Sequence, residues 1–289
     1  MTQGIRRLVR SVLLLFNRVR FHLFFPKVLA AGRYGNSKLI SVSKGLSLGS
    51  PARTFLVFIR SGGECRLIDD GDRNFDIALN LYACANNESL TRCEYLIAGG
   101  LNKYKAAFQF LDSVVLGRYQ GIMFLDDDLE MTCSELSRFL TFCRQSDLQL
   151  AQPSLSHDSY YSHGHLLNVR GARIRRVHFV EVMCPYFSAE ALKKACFTFD
   201  LSYSTWGLDY LWPKLPGIEP VVVDAFTIRH TRPRDAKGAF YRYMRRIGVS
   251  PWHEETRLRR IALSARPADK PTWASDLGIG RNAGTGKDL

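Results

Sequence analysis

The stretch that most constrains this chain is Gly121 to Met131, GIMFLDDDLEM. Ile122 to Leu125 is an unbroken apolar run of strand length, and a strand can be apolar without alternation only where both of its faces are covered. Asp126, Asp127 and Asp128 follow at once. They fall at the carboxyl end of that strand, the edge along which open α/β sheets form their ligand crevice. Adjacent carboxylates repel one another, so such a turn calls for a cation to offset them. Oxygen donors suit Mg²⁺ or Mn²⁺, which are commonly held by one or two carboxylates and completed by a substrate's phosphates. The plainer reading makes the aspartates caps of the following helix. That helix, over Cys133 to Arg144, already has a capping box in Thr132-Cys133-Ser134-Glu135.

Upstream, Thr54 to Arg60 (TFLVFIR) is β-branched and aromatic, bounded by Pro51 and by Ser61-Gly62-Gly63, and predicts a first strand. Asn74 to Tyr82 and Cys93 to Ala98 predict two more, and Lys103 to Leu116 carries apolar residues at helical spacing. Strands alternating with helices indicate an α/β sheet, mostly parallel. The 289 residues allow one sizeable core. A domain over 51–234 is expected, with a basic segment over 1–50 before it and a basic helical extension with a polar tail over 235–289 after it. Two basic helices, Gly238 to Ile247 and Glu254 to Leu263, are expected in that extension, with Tyr241, Tyr243 and Met244 supplying apolar contacts.

Charge follows the same division. Residues 1–63 hold eleven Lys/Arg and no Asp/Glu, residues 229–289 hold fourteen against six, and the middle holds fifteen against twenty-one. No recognition-helix or RNP-type pattern accompanies the basic ends, so nucleic acid is not the expected partner. In the first thirty residues, Ile5, Leu8, Val9, Val12, Leu15, Phe16, Val19 and Leu23 fall on one side of a helical wheel, with Arg6, Arg7, Arg10, Asn17 and Arg18 opposite or flanking. The longest uncharged run there, seven residues, is far short of the ~20 that a spanning helix needs. The stripe docks either on an anionic membrane surface or on protein. Seven cysteines without regular spacing or a CxxC pair argue against a disulfide framework and a structural zinc, and for a reducing cytoplasm, with the protein on the inner face of the membrane if the amino-terminal segment binds lipid.

Later blocks add to the acidic turn. KYKAAFQFL and FLDDDLEM are followed by FVEVMCPYFSAEAL from Phe179, WGLDYL from Trp206 and VVVDAFTIRH from Val221. In that order they resemble the uncharacterised family DUF707, over about residues 55–232, and that family looks like glycosyltransferase A (GT-A) proteins. The resemblance implies a GT-A-like, Rossmann-like sheet flanked by helices. It also implies metal-dependent transfer of a sugar from a nucleotide sugar, a UDP-sugar first among donors, to a glycan or glycolipid hydroxyl. About seventy residues of sheet before the acidic run fit this arrangement better than a haloacid dehalogenase one. Two other classes share these features: a metal-dependent phospho- or nucleotidyltransferase, and a non-catalytic glycan-binding protein on the same fold.

Asp126 and Asp128, two apart on a strand end, can face the same side and are candidate metal ligands, with Asp126 and Asp127 as alternatives for ribose or sugar. His230 matches the histidine that completes the metal's coordination in many GT-A proteins, and a neutral imidazole favours Mn²⁺ over Mg²⁺. Asp209 matches their general base, which implies inversion; a helix N-cap is its other reading. Trp206 is a candidate wall for a sugar ring. Glu181, inside an apolar segment expected to be a strand over Val177 to Phe187, either pairs with Arg170, Arg173, Arg175 or Arg176 or lines the acceptor site. Arg60 and Lys103, near the ends of early elements, are candidates for the donor's phosphates or base. His157, in a polar loop over Gln152 to His165 with Gln152-Pro153 ending a strand, is a candidate acceptor contact.

Overall fold

The apolar runs become the strands of a mixed sheet. A computed structural model describes residues 40–264 apart from 48–49, 51, 63–64, 83–91, 101, 114–116 and 236. The amino-terminal amphipathic segment and the polar tail lie outside the described residues. The strands are β1 (Ser41–Lys44), β2 (Phe55–Ser61), β3 (Leu67–Ile68), β4 (Phe75–Leu81), β5 (Tyr95–Ala98), β6 (Gly121–Asp126), β7 (Leu129–Thr132), β8 (Leu150–Leu155), β9 (Arg175–Arg176), β10 (Tyr186–Ser188) and β11 (Pro220–His230). The helices are α1 (Lys103–Ser113), α2 (Cys133–Gln145), α3 (Ala189–Ala195), α4 (Leu208–Leu211), α5 (Ala239–Arg246) and α6 (Pro251–Ser264). The strand order is β1-β5-β4-β2-β6-β10-β8-β11-β7-β3, with β9 paired to β11.

The sheet is mixed rather than purely parallel, although its longest ladders are parallel as expected. β5, β4, β2 and β6 run parallel, as do β8 and β11. Between those blocks the short β10 is antiparallel to both β6 and β8, and β1 is antiparallel to β5. The expected single strand from Val177 to Phe187 is therefore an irregular segment ending in three strand residues, and Glu181 sits in its loop part. The expected end of a strand at Gln152-Pro153 is also corrected, because β8 runs on to Leu155.

Alternation along β2 separates the two cores. Leu56 and Phe58 face one side with Tyr104, Phe110, Phe124, Phe187, Phe199 and Trp212. Phe55, Val57 and Ile59 face the other with Phe139, Leu140 and Cys143 of α2. Both faces being covered explains why the strands read as apolar runs. α2 begins as expected, with the Thr132 hydroxyl accepting from the Glu135 amide at 3.1 Å. Its amino end also receives Asp70, whose carboxylate accepts from the Ser134 amide at 2.8 Å. The described cysteines are thiols rather than disulfides. Among the described residues no helix is long and apolar enough to cross a membrane.

Candidate active site

Register delivers the site. β2 and β6 pair so that Arg60 lies opposite Asp126, and β2 and β4 pair so that Arg60 lies opposite Asn80. Arg60 donates to the Asn80 side chain at 2.5 Å and to the Gly100 carbonyl at 3.3 Å, with its guanidinium 5.2 Å from the centre of the Tyr82 ring. Burial pulls it down to about 10, against the raising effect of Tyr82 and Asp126. The acidic turn then feeds β7, and the far end of β11 pairs with β7, His230 opposite Leu129. That pairing carries His230 to Asp128 across about a hundred residues of sequence. The Asp128 carbonyl accepts from the Thr231 amide at 3.0 Å and hydroxyl at 2.9 Å, which fixes the junction.

The three aspartates have different surroundings. Asp127 is buried and tied down: it accepts from the Gly62 amide at 2.7 Å and from the Arg232 guanidinium. Asp126 accepts from the Lys103 ammonium at 2.8 Å. Desolvation raises its carboxyl above the usual range while Lys103 pulls it back. Asp128 lies 3.5 Å from His230 Nε2 and 3.4 Å from Arg232 Nε. Desolvation would raise Asp128, but His230 and Arg232 outweigh it and hold the carboxyl below its ordinary value.

Lys103 departs from the expected role on the donor. Its ammonium gives its three hydrogens to Asp126, to the Val182 carbonyl at 2.7 Å and to the Met183 carbonyl at 3.2 Å. An ammonium has three donors, so the side chain is satisfied within the protein. The Tyr104 hydroxyl also donates to the Val182 carbonyl, at 2.7 Å. Together they hold the Glu181 loop against the acidic turn.

A divalent cation can be tested against these donors. Among the described residues no group of three or more His, Cys, Asp or Glu side chains is gathered as a metal site. A pair is present: Asp128 Oδ2 and His230 Nε2. His230 Nδ1 is 2.7 Å from the Tyr160 carbonyl, which can only accept, so Nδ1 carries a proton. Against desolvation, Asp128 beside Nε2 raises the imidazole above its ordinary value, and only the neutral ring, once Nε2 gives up its proton, offers a lone pair on the Asp128 side. A second group that fixes the ring in this way is the usual support of a ligating histidine. One carboxylate and one imidazole, completed by a diphosphate, fit Mn²⁺.

Glu181 and Asp209 form the other half of the site. Glu181 pairs with none of the arginines it was weighed against: Arg175 binds Asp224 at 2.6 Å, Arg176 binds Glu219 at 3.0 Å and Arg173 lies over Phe142. Its Oε2 is buried without a hydrogen-bond partner, and desolvation pushes the carboxyl up to about 7. Asp209, 8% exposed, is pushed up to about 8, first by desolvation and then by the charge of Glu181. His230 and Asp126 also act on Glu181, so the acidic turn and Asp209 share one electrostatic neighbourhood.

Both carboxyls hold a proton to higher pH folded than unfolded, where about 4 is usual. The folded state therefore binds more protons than the unfolded between about pH 4 and 8, and stability falls as pH rises through that window. Melting temperature followed from pH 5 to 8 should decline more steeply for the wild type than for Asp209→Asn. Equal slopes would show that Asp209 does not titrate in this way.

Asp209 is not the helix cap itself. Gly207 is, with φ 87°, and Asp209 Oδ1 accepts the next amide, that of Tyr210, at 3.1 Å. A Cβ on Gly207 would fall 2.9 Å from Leu258 Cβ and 3.0 Å from Glu255 Cα of α6. Left-handed backbone costs a side-chain-bearing residue ~1–2 kcal/mol, and overpacking typically adds ~1–3 kcal/mol. Gly207→Ala should thus lower the unfolding free energy by about 2–5 kcal/mol, read by urea denaturation; a change under about 1 kcal/mol would mean that α6 gives way.

The C-terminal helices belong to the site more than the sequence had suggested. Glu254 of α6, 3% exposed, accepts from the Ser202 hydroxyl, the Tyr203 amide and both the amide and hydroxyl of Ser204. These precede the Trp206-Gly207-Leu208-Asp209 turn. Nothing in the sequence marks Glu254, because its burial depends on where α6 docks. Trp206 faces these helices, 5.3 Å from the Trp252 ring and 6.1 Å from Tyr241, with Arg234 5.6 Å above it. His157 is exposed on the loop after β8, where its neighbour Asp158 binds Arg229 at 2.8 Å.

No protein-family model matches the chain, and no curated protein matches it. Among solved structures the chain is similar to S. aureus TarS, with TM-score 0.43, 11% identity and 72% of this chain covered. It spans 42% of that chain. Residues 1–349 of TarS in complex with UDP-GlcNAc give TM-score 0.43 and 12% identity, covering 73% of this chain and 72% of the other. A197 from STIV gives TM-score 0.33 and 16% identity, covering 61% and 84%. These are low-scoring likenesses of shape, and the functional reading rests on the crevice residues.

Proposed function

We propose that this chain is a glycosyltransferase that moves a sugar from a nucleotide-sugar donor to a hydroxyl of a glycan or glycolipid, with inversion at the anomeric carbon. The observation that carries the reading is that two carboxylate sets share one electrostatic neighbourhood, linked through Glu181. One set is the acidic turn with the Asp128–His230 pair, and the other is the buried, proton-holding Asp209 beside Glu181. The first suits a diphosphate and its cation, and the second suits proton transfer.

Asp128 and His230 would hold the cation. A cation bound there would offset charge on the departing diphosphate as Lewis acid and template. Arg60 and Arg232 flank the turn and add fixed positive charge. Asp209, when ionised, takes the proton of the acceptor hydroxyl as that oxygen bonds to the anomeric carbon. The bond from that carbon to the donor's phosphate oxygen breaks, and the diphosphate leaves with the electron pair. A base near 8 is well matched to a hydroxyl acceptor around neutral pH. Lys103 positions Asp126 and the Glu181 loop, and the orphaned Glu181 Oε2 offers an acceptor for a sugar hydroxyl.

Thermal shift with nucleoside diphosphates and nucleotide sugars, each with and without Mn²⁺, tests the donor half. A ligand at 100 times its dissociation constant adds about 2.7 kcal/mol, a readily measured shift. The expected result is one diphosphate that stabilises the wild type with Mn²⁺ and fails to stabilise Asp128→Ala. Stabilisation that survives in Asp128→Ala would remove the acidic turn from the donor site.

A further inference from the structure

We infer that the corner formed by α5 and the start of α6 docks on an anionic lipid surface. α5 has two apolar sides. Tyr241 and Met244 are buried inward, whereas Phe240, Tyr243 and Ile247 stand 40%, 37% and 37% exposed. Positions 240, 243 and 247 fall within one side of the helix and make a single exposed stripe, and Tyr243 lies near enough to Arg60 to act on its charge, so the stripe borders that end of the crevice. Trp252 at the start of α6 is 47% exposed. Its ring lies 5.7 Å from Tyr241, whose ring is 5.1 Å from Phe240, so the patch runs unbroken from one helix to the next.

Exposed aromatic residues in such a row are costly in water, and tryptophan and tyrosine are the side chains enriched at membrane interfaces. The charge along this stretch of chain is of one sign. Lys237, Arg242, Arg245 and Arg246 lie between Asp235 and Glu254, and no acidic residue falls in that interval. Arg242 and Arg246 are exposed on the side of α5 next to the stripe. An apolar ridge with a basic flank matches the headgroup boundary of an anionic leaflet, where each basic residue adds attraction. The inference does not depend on the proposed reaction. It does place the boundary beside Trp206, which packs on Trp252 and opens the turn that holds Asp209.

Full-length protein in a Trp273→Phe background, mixed with vesicles of phosphatidylcholine with or without phosphatidylglycerol and brominated on the acyl chains, tests the docking. Trp212 is buried in the core, so quenching reports chiefly on Trp252 and its neighbour Trp206. The expected result is strong quenching with the anionic vesicles only. Trp252→Phe should keep vesicle co-sedimentation and lose most of the quenching. Phe240→Ser with Tyr243→Ser should abolish quenching, and Arg242→Glu with Arg246→Glu should lower it about tenfold or more. All of these positions are exposed, so unchanged melting temperatures check that the variants fold. Co-sedimentation without quenching would place lipid contact elsewhere in the chain and overturn the inference. A dimer in solution that Phe240→Ser dissociates would assign the stripe to a second copy instead.

Discussion

Asp209→Asn is expected to lower sugar transfer by about 10²–10⁴-fold, the range that a positioned general base contributes. The substitution keeps the shape of the side chain and an oxygen able to accept from the Tyr210 amide, so the turn survives. What it removes is the proposed base for the acceptor's proton. Donor binding should be unchanged, because the proposed donor contacts lie on the acidic turn and not on α4. The wild-type rate should also rise with pH through about 8 as Asp209 loses its proton, and the residual rate of the variant should lack that rise. An equal loss of donor affinity would mean instead that Asp209 helps to build the crevice. Rate measured against pH, with donor affinity measured separately by titration calorimetry, distinguishes the two.

The second large effect is expected behind the chemistry, at the loop that leads into Asp209. Glu254→Ala leaves the Ser204 hydroxyl and the backbone amides of Tyr203 and Ser204 without their acceptor in a buried place, while the Ser202 hydroxyl keeps the Trp206 carbonyl. An unsatisfied buried donor costs ~1–3 kcal/mol, so the loss should be about 3 kcal/mol or more after local rearrangement. For a protein of this size that is a fall in melting temperature of roughly 6–12 °C. Asn102, which donates to the Ser202 and Tyr203 carbonyls, secures the same loop from α1 and should keep the rest of the sheet folded. Activity should fall by more than stability alone explains, because the loop leads into Trp206 and Asp209. Calorimetric unfolding of Glu254→Ala beside Glu254→Gln checks this, and near-wild-type melting of the alanine variant would contradict it.

These residues also mark where sequence reading stops. β2, β4 and β6 were legible because both of their faces are covered, so local composition alone marks them as buried strands. The start of α2 was legible because capping chemistry is local, Thr132 to Glu135. β10 was not: three residues inside the longer apolar stretch from Val177 become a strand only because β6 and β8 leave a gap that an antiparallel segment fills. The same insertion puts Glu181 in a loop rather than on a strand. The meeting of Asp128 with His230 was expected from resemblance, but its physical cause is the pairing of β11 with β7. Along β11 the register against β8 shifts between Val223 and Thr227 before the strand reaches β7.

Polar partners were the least legible. Lys103 was expected to meet the donor, yet its three acceptors are two carbonyls about eighty residues away and Asp126. Glu254 carried no mark at all, since a glutamate in the first turn of a basic helix is ordinarily a solvated one. In both cases the long-range docking of a helix decides which polar group is buried and which is wet.

Direct observation of the transferred group tests the central claim. Wild type and Asp209→Asn would be incubated with a panel of nucleotide sugars, Mn²⁺ and an array of glycan and glycolipid acceptors, with phosphorus resonance following the nucleotide and mass measurement following the acceptor. The account predicts free nucleoside diphosphate and an acceptor heavier by one sugar from the wild type, at a rate about 10²–10⁴-fold lower from the variant. Phosphate or nucleotide carried into the product, or an Asp209→Asn that turns over as fast as the wild type, would contradict it.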